Sequence, residues 1–306
     1  MTTLHPTPPR APGRAGAELG GTGLARTIRV RAAANAAELA EAGVPPQLAV
    51  VVATEDEASA WYVRSIAKAA AKAGIECRVE DLGPAAGPER IRATLEELSA
   101  DEAVHGIILQ TPLPAGADFE DLTAAIAPDK DVDGASPLSL GRLAAGLPAH
   151  PPATAAAVLE LLDHHGVELV GRTCVVVGRS NVVGKPVAQL LLQRDATVTI
   201  CHRHTADLAA VTPTADVLVV AVGKPGLITA EHVREGAIVI DVGTNPTSGG
   251  ELVGDVELSV LARAGGLTPV PGGVGPVTTA LLLRHTVQAA MRSAHRAWLR
   301  NQRDSG

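Results

Sequence analysis

The feature that most constrains the fold is an alternation of short, continuous apolar runs with segments of helical periodicity. The run at 48–53 suits a strand covered on both faces, and the first two helical segments end at Gly43 and Gly74. Strands are predicted at 48–53, 75–79, 106–110, 173–177, 197–201, 217–221 and 237–242, and helices at 22–42, 58–73, 89–99, 119–126, 155–164, 185–194 and 278–299. This order predicts an α/β chain with two doubly wound domains around a cleft, the second of Rossmann type, with ligands at the carboxyl ends of parallel strands.

Composition changes along the chain indicate the domain boundaries. Residues 1–18 are rich in Pro, Gly and Ala without periodicity, which predicts a disordered extension. A Pro- and Ala-rich stretch at 144–153 marks a boundary between domains. We therefore expect residues 19–150 and 277–306 to form one domain and residues 151–276 to form the other.

Charge and cysteine content exclude several classes of function. The net charge of −7 argues against nucleic acid or an anionic membrane as the main partner, and the chain has no apolar run of the roughly 18 residues that a membrane span needs. The N-terminus does not resemble a secretion signal. Cys77, Cys174 and Cys201 lack the spacing of metal ligands, which predicts inert thiols in a cytoplasmic protein and no metal site.

A glycine turn in the second half is typical of a dinucleotide site. The strand at 173–177 runs into Gly178, and a helix follows with Pro186 in its first turn, where a missing N–H does no harm. This arrangement directs backbone N–H groups and the positive end of a helix toward a phosphate. Ser180 stands where the common G-x-G-x-x-G pattern has its second Gly, so a tight turn without a ligand is the alternative interpretation.

The strand at 197–201 favours NADP over NAD. An NAD site usually has Asp or Glu after this strand, to bind the ribose 2′-hydroxyl. Here Arg203 follows, between His202 and His204, which we expect to be solvated or at the edge of the cofactor. The guanidinium groups of Arg203 and Arg179 suit a 2′-phosphate.

The first half and the end of the second carry polar or rigid segments at predicted strand and helix ends. Tyr62 lies in a helix, Gln110 ends a strand, Asp131 and Asp133 flank a valine, and residues 268–278 (TPVPGGVGPVT) are too restricted in backbone for an ordinary loop. Each has a simpler interpretation by itself: a core tyrosine, a strand-end amide, capping aspartates and a rigid linker.

Together these segments resemble the bifunctional methylenetetrahydrofolate dehydrogenase/methenyltetrahydrofolate cyclohydrolase family. The resemblance covers roughly residues 19–290. It depends on the Tyr62 helix, the QTPLP segment at 110–114, KDVDG at 130–134, GRSNVVGKP at 178–186, AVGKP at 221–225, DVG at 241–243 and PVPGGVGP at 269–276.

The resemblance implies a homodimer that acts on one-carbon derivatives of tetrahydrofolate, with folate bound by residues 19–150 and 277–306 and NADP by residues 151–276. Hydride transfer to NADP would need alignment of two carbons and no protein acid or base, whereas the cyclohydrolase step would need proton transfer. The implied catalytic residues are Tyr62, Gln110 and Asp133, which also bind the pterin. The further implied folate contacts are Pro271, Gly272, Gly273, Gly275, Pro276 and Thr279. The implied cofactor contacts are Gly178, Arg179, Ser180, Val183, Arg203, Val222, Gly223 and Thr244.

The chain departs from the family at one decisive position. The family has a lysine four residues after the tyrosine, on the same helix face, and this chain has Ile66. Lys68 lies roughly on the far side of the helix. The turn at 54–57, Ala135, Ala153 and Ala155 also differ from the family pattern.

We therefore expect NADP and folate binding to persist and the cyclohydrolase step to be weakened or lost. The alternatives are a duplicated member reassigned to a specialised one-carbon pathway and a binding-only relative without catalysis. An amino-acid or shikimate-type dehydrogenase, from a different class, would need a Lys–Asp pair in the first domain, which is not recognisable here.

Overall fold

The computed structural model describes residues 16–247 and 249–304. The strands are β1 (Ala17–Glu18), β2 (Gln47–Val52), β3 (Glu76–Asp81), β4 (Gly106–Leu109), β5 (Thr173–Val177), β6 (Thr197–Cys201), β7 (Val217–Val220), β8 (Ile238–Asp241), β9 (Asn245–Pro246), β10 (Leu252–Val253) and β11 (Gly266–Leu267). The α-helices are α1 (Thr22–Glu41), α2 (Glu57–Lys72), α3 (Pro88–Ala100), α4 (Phe119–Thr123), α5 (Pro137–Ala144), α6 (Ala153–His164), α7 (Gly184–Leu192), α8 (Leu208–Val211) and α9 (Val274–Asp304). Every predicted strand and helix is present, most with ends shifted by one to a few residues.

The chain forms two compact units. Among the described residues, the first unit comprises 23–153 and 277–304, and the second comprises 16–22 and 154–276. Residues 19–22 were expected in the first unit and 151–153 in the second, so both boundaries differ by a few residues from the prediction.

The prediction of a disordered extension over residues 1–18 is wrong at its end. Residues 1–15 lie outside the described residues, but Ala17 and Glu18 form β1, which pairs in parallel with Gly266 and Leu267 of β11. The N–H of Leu19 continues this pairing by donating to the carbonyl of Leu267 at 2.9 Å. Pairing with a strand so distant in the sequence gives this short segment its structure and places it in the second unit.

The first unit has a three-stranded parallel sheet in the order β3-β2-β4. Strand β2 is central and buried, because apolar side chains of β2, β4 and α3 pack together on one side of it. An isolated parallel bridge between Ile107 and Asp131 brings the KDVDG segment beside β4. The carboxyl ends of β2 and β4 therefore present Thr54, Gln110 and the aspartates at one edge of the sheet.

The second unit has a six-stranded parallel sheet in the order β1-β11-β8-β7-β5-β6. The chain runs from β5 outward to β6 and then crosses back to β7 on the other side of β5, which makes a topological switch point at the end of β5. Ligands of open parallel sheets bind at such a point. The short strands β9 and β10 form a separate antiparallel pair.

Three helices differ from the sequence prediction: α5 and α8 were not predicted, and α9 begins earlier than expected. Helix α5 was not predicted, although Ser136 accepts a hydrogen bond from the N–H of Ser139 at 3.2 Å and Pro137 occupies the first turn, as at many helix starts. Helix α9 begins at Val274, four residues before the predicted start, so Gly275 and Pro276 lie in its first turn rather than in a loop. Pro276 is tolerated there because first-turn N–H groups have no partner within the helix. None of the helices in the described residues is long and apolar enough to cross a membrane.

Candidate active site

Tyr62 lies on α2, whose start is tied to the end of β4. Asp56 caps the helix by accepting from the N–H of Ser59 at 2.8 Å, and the Ser59 hydroxyl donates to the carbonyl of Thr111 at 2.8 Å. The side-chain amide of Gln110 donates to the same carbonyl at 2.7 Å. The structure thus links the helix of Tyr62 to the strand end of Gln110, both of which were predicted site residues.

Tyr62 is half-buried and hydrogen-bonds with the side chain of Thr279 on α9. Burial is the main cause that raises the pKa of the Tyr62 phenol well above its ordinary value, the negative charge of Asp133 adds to the effect, and the bond with Thr279 opposes it. The phenol is therefore a protonated donor at neutral pH. These contacts bring together Tyr62, Asp133 and Thr279, three predicted folate contacts.

Ile66 follows Tyr62 by one helical turn on the same face and is 0% exposed. It cannot donate, accept or carry a proton. On the same helix, Lys68 and Lys72 are exposed. The ammonium of Lys130 donates to the carbonyls of Asp101 at 2.6 Å and Leu98 at 3.3 Å, at the end of α3.

Asp133 lies in a tight turn organised by Asp131. The buried carboxylate of Asp131 accepts from the N–H groups of Ala135 at 3.1 Å and Ser136 at 3.0 Å, and from the Ser139 hydroxyl at 2.6 Å. Burial and the nearby Asp131 charge raise the pKa of Asp133 to about 7, against the opposing N–H of Ala153. Asp133 therefore titrates close to neutral pH.

The predicted glycine turn follows β5 in the second unit. Gly178 has φ +132°, and a Cβ on it would lie 2.2 Å from the carbonyl oxygen of Ala221. A Cβ on Gly184 would lie 2.2 Å from the carbonyl oxygen of Gly178. The Ser180 hydroxyl accepts from the N–H groups of Val183 at 3.2 Å and Gly184 at 3.4 Å, so Ser180 holds the turn against the start of α7. Only glycine fits at both positions, which explains the spacing of the motif.

The residues around this turn fit an anionic dinucleotide. Arg179 in the turn and Arg203 after β6 are both exposed, and Nε of Arg203 donates to the ring of His204 at 3.1 Å. His202 packs edge-on to His204, with ring centroids 6.0 Å apart. Two accessible guanidinium groups, one in the glycine turn and one after the neighbouring strand, could hold phosphate groups.

A buried aspartate that was not predicted organises the turn after β7. The carboxylate of Asp255, 0% exposed, accepts from the N–H groups of Val222 at 2.7 Å, Gly223 at 3.0 Å and Lys224 at 2.8 Å. Val222 and Gly223 were predicted to contact the cofactor. Their N–H groups are bonded to Asp255, so only their other atoms are left to contact a ligand. Thr244, another predicted contact, is exposed.

Asp255 also belongs to a pair of buried carboxylates. Asp241 accepts from the N–H groups of Gly243, Asp255 and Val256 at 2.9–3.0 Å, and burial raises its pKa to about 6. Asp241 and Asp255 are separated in the sequence, so no local pattern indicates their pairing.

The stretch before α9 has a sterically constrained backbone. Gly272 has φ +113°, and a Cβ on Gly273 would lie 2.7 Å from the carbonyl oxygen of Pro269. Pro271 and Gly275 are exposed, and Pro276 is half-exposed. Within the described residues there is no group of three His, Cys, Asp or Glu side chains that could hold a metal ion.

Each unit is an α/β fold with a parallel sheet, and the second has a glycine turn at its switch point beside exposed arginines. These features define the class of dinucleotide-binding dehydrogenases. Comparison with known proteins identifies the family. Residues 19–133 match the catalytic domain of tetrahydrofolate dehydrogenase/cyclohydrolase, and residues 152–294 match its NAD(P)-binding domain. The chain belongs to this family of bifunctional dehydrogenase/cyclohydrolase enzymes, known as FolD. This confirms the predicted fold and family and excludes the shikimate-type alternative.

Individual relatives agree with the family assignment. The bifunctional protein FolD 1 of Saccharopolyspora erythraea is 71% identical over 294 residues, which cover 96% of this chain and 99% of the relative. The crystal structure of the bifunctional enzyme FolD from Campylobacter jejuni is 38% identical with a TM-score of 0.87, over 90% of this chain and 98% of that one. The Trypanosoma brucei dehydrogenase–cyclohydrolase, complexed with NADP and an inhibitor, is 38% identical with a TM-score of 0.86, over 91% and 98% of the two chains. These findings support NADP as the cofactor.

Proposed function

We propose that this chain oxidises 5,10-methylenetetrahydrofolate to 5,10-methenyltetrahydrofolate with NADP and that its cyclohydrolase step is weakened or lost. The observation that carries the proposal is Ile66, an apolar and fully buried residue one turn after Tyr62. The dehydrogenase step and the water-addition step place different demands on the protein, so one substitution can separate them.

The dehydrogenase step requires that the protein orient the folate relative to the cofactor. Bound NADP would supply the hydride acceptor for the methylene carbon of the folate. Tyr62, Gln110 and Asp133 would hold the pterin, and their supports are intact: Thr279 for Tyr62, Thr111 for Gln110 and the Asp131 turn for Asp133. No protein group has to accept a proton in this step, so Ile66 does not impair it.

Water addition demands a side chain that handles a proton. Ile66 cannot do so, and the raised pKa of Tyr62 keeps the phenol protonated at neutral pH, so that it is a poor base. Asp133 is engaged with the pterin in this proposal. The methenyl product would then leave the enzyme or hydrolyse without catalysis.

The choice of NADP over NAD is part of the proposal. Arg203 follows β6, where an acidic residue would serve the 2′-hydroxyl of NAD, and Arg179 lies in the neighbouring turn. Exposed guanidinium groups at both positions can pair with the 2′-phosphate.

The test is a pair of assays on the purified chain. One follows NADPH formation from methylenetetrahydrofolate, and the other follows decay of methenyl absorbance in the absence of NADP. We expect dehydrogenation, with methenyl decay no faster than in buffer. Catalysed decay would refute the argument from Ile66, and folate binding without either activity would favour the reassigned or binding-only alternatives.

The matched variants are Ile66→Lys and Ile66→Met. The lysine restores an amine one turn from Tyr62, and burial lowers the pKa of such an amine, which suits proton transfer at neutral pH. Methionine has similar length and no proton to exchange. Catalysed methenyl decay in the lysine variant alone supports the proposal, whereas no gain in a folded, folate-binding lysine variant counts against it.

The predicted homodimer and cytoplasmic location stay predictions. Analytical ultracentrifugation of the full chain over a range of protein concentrations will decide the oligomeric state. A single species of 31.1 kDa would contradict the homodimer.

A further inference from the structure

The turn that contains Asp133 is stabilised by a distant segment of the chain as well as by Asp131. Gly134 has φ +63°, and a Cβ on it would lie 2.3 Å from the carbonyl oxygen of His150. The N–H of Ala153 donates to the backbone carbonyl of Asp133 at 3.3 Å. The segment at 150–153 therefore packs directly against the turn on its Gly134 side.

His285 of α9 contacts the residue before Asp133. Its Nδ1 lies 2.8 Å from the carbonyl oxygen of Val132, and the side chain is buried, with 3% exposed. A carbonyl can only accept, so Nδ1 carries the hydrogen and donates it. The His285 ring also packs on the ring of His150, with centroids 4.6 Å apart and planes tilted by 35°.

The bonded carbonyl belongs to the peptide group that joins Val132 to Asp133. The orientation of this peptide plane sets φ of Asp133 and hence the direction in which its carboxylate points. A hydrogen bond that fixes the plane therefore fixes the carboxylate. Asp131 holds the end of the turn after Asp133, whereas His285 holds the peptide before it.

We propose that His285 is a positioning residue for folate binding, because it fixes the Val132–Asp133 peptide and thereby the direction of the Asp133 carboxylate. The inference rests on the proposed function, in which Asp133 binds the pterin. Helix α9 then supports two folate contacts, Tyr62 through Thr279 and Asp133 through His285. Thr279 hydrogen-bonds with Tyr62 and lies six residues, or about 9 Å along the helix axis, before His285.

The test compares His285→Asn with His285→Leu. The Asn amide nitrogen occupies the place of Nδ1 and can still donate to Val132, whereas Leu fills a similar space without a donor. We expect His285→Leu to raise the dissociation constant for tetrahydrofolate and the KM for methylenetetrahydrofolate at least tenfold, with kcat changed less. His285→Asn should recover most of the affinity.

Two further measurements separate positioning from a general loss of structure. NADP affinity, a property of the second unit, should be the same in all variants. If His285→Leu does not fold, His285→Gln serves in its place, because it keeps a donor but displaces it by one methylene, and its affinity should fall below that of His285→Asn.

The outcomes distinguish this inference from the proposed function. Wild-type affinity in His285→Leu, or equal losses in the Leu and Asn variants, would overturn the positioning role. A wild-type chain that binds tetrahydrofolate without oxidising its methylene form would overturn the proposed activity alone. A wild-type chain without folate affinity would overturn both.

Discussion

The buried His285 makes the stability of the first unit depend on pH. Burial, together with the positive charges of Arg284 and Arg292, lowers the pKa of His285 to about 4 from its ordinary 6.5, although the bond to Val132 opposes the shift. His150, which packs on it, has its pKa lowered mainly by burial as well. Since the folded pKa lies below the unfolded one, the unfolded chain binds more protons between pH 6.5 and 4. The stabilisation is therefore complete above pH 6.5 and is lost as the pH falls toward 4.

The size of the effect follows from the two pKa values of His285. A pH of 5 lies about 1.5 units below the pKa of His285 in the unfolded chain and above its pKa in the folded chain. Each pH unit in this interval changes the free energy of unfolding by about 1.36 kcal/mol. His285 alone should therefore lower the free energy of unfolding by about 2 kcal/mol between pH 7 and pH 5. His285→Asn has no titrating group at this position and should lose about 2 kcal/mol less over the same range.

The assay is urea unfolding of wild type and His285→Asn at both pH values. The chain has two tryptophans, Trp61 and Trp298, and both lie in the first unit, so their fluorescence anisotropy reports on that unit. At pH 7 the variant should be less stable by about 1 kcal/mol, because it loses the ring contact with His150. At pH 5 the order should reverse. A difference between the two proteins that does not change with pH would refute the reasoning.

Three other predictions concern the two binding sites. Gly184→Ala should impair NADP binding by about 1–3 kcal/mol through displacement of the Gly178 carbonyl, as measured by calorimetry, whereas the control Gly141→Ala, with nothing within 4 Å of the new Cβ, should keep the affinity. Arg203→Ser should weaken NADP by about 1.5–3 kcal/mol and NAD much less, and equal losses would count against its role. Because the pKa of Asp133 is about 7 and its carboxylate is the expected acceptor for the pterin, KM for the folate should rise about tenfold per pH unit below 7. A KM that is flat from about pH 8 to pH 6 would contradict this.

The sequence predicted those parts of the fold that have local causes. Strands β5 and β6 match the expected bounds to the residue, because runs rich in β-branched residues are flanked by turn residues. The glycine turn at Gly178 was also evident in the sequence, since a strand, a turn and a helix follow one another directly. Helix α5 had a local signal as well, in the Ser-Pro pair at 136–137, which is typical of a helix start.

The parts that were missed depend on residues far apart in the chain. Strand β1 has only two residues, and its structure comes from pairing with β11, about 250 residues later. The contacts of Asp255 with the turn after β7 and of His285 with Val132 likewise join distant segments. No periodicity or motif marks such contacts, because tertiary packing alone creates them. The positioning residues of a site are therefore harder to predict than the residues that touch the ligand.

Compared with the lysine that the family resemblance implies at this position, Ile66 also has a structural consequence. An ammonium at a fully buried position must be desolvated, which costs free energy unless it is paired, whereas burial of an isoleucine contributes about 1.5–3 kcal/mol. Ile66 should therefore stabilise α2 in the first unit, although it cannot carry a proton. The Ile66→Lys variant should therefore gain cyclohydrolase activity and also be less stable than the wild type. The Ile66→Met variant should show a much smaller change in both properties. A lysine variant that gains activity at no cost in stability would mean that the amine reaches solvent and that position 66 is less enclosed than its burial indicates.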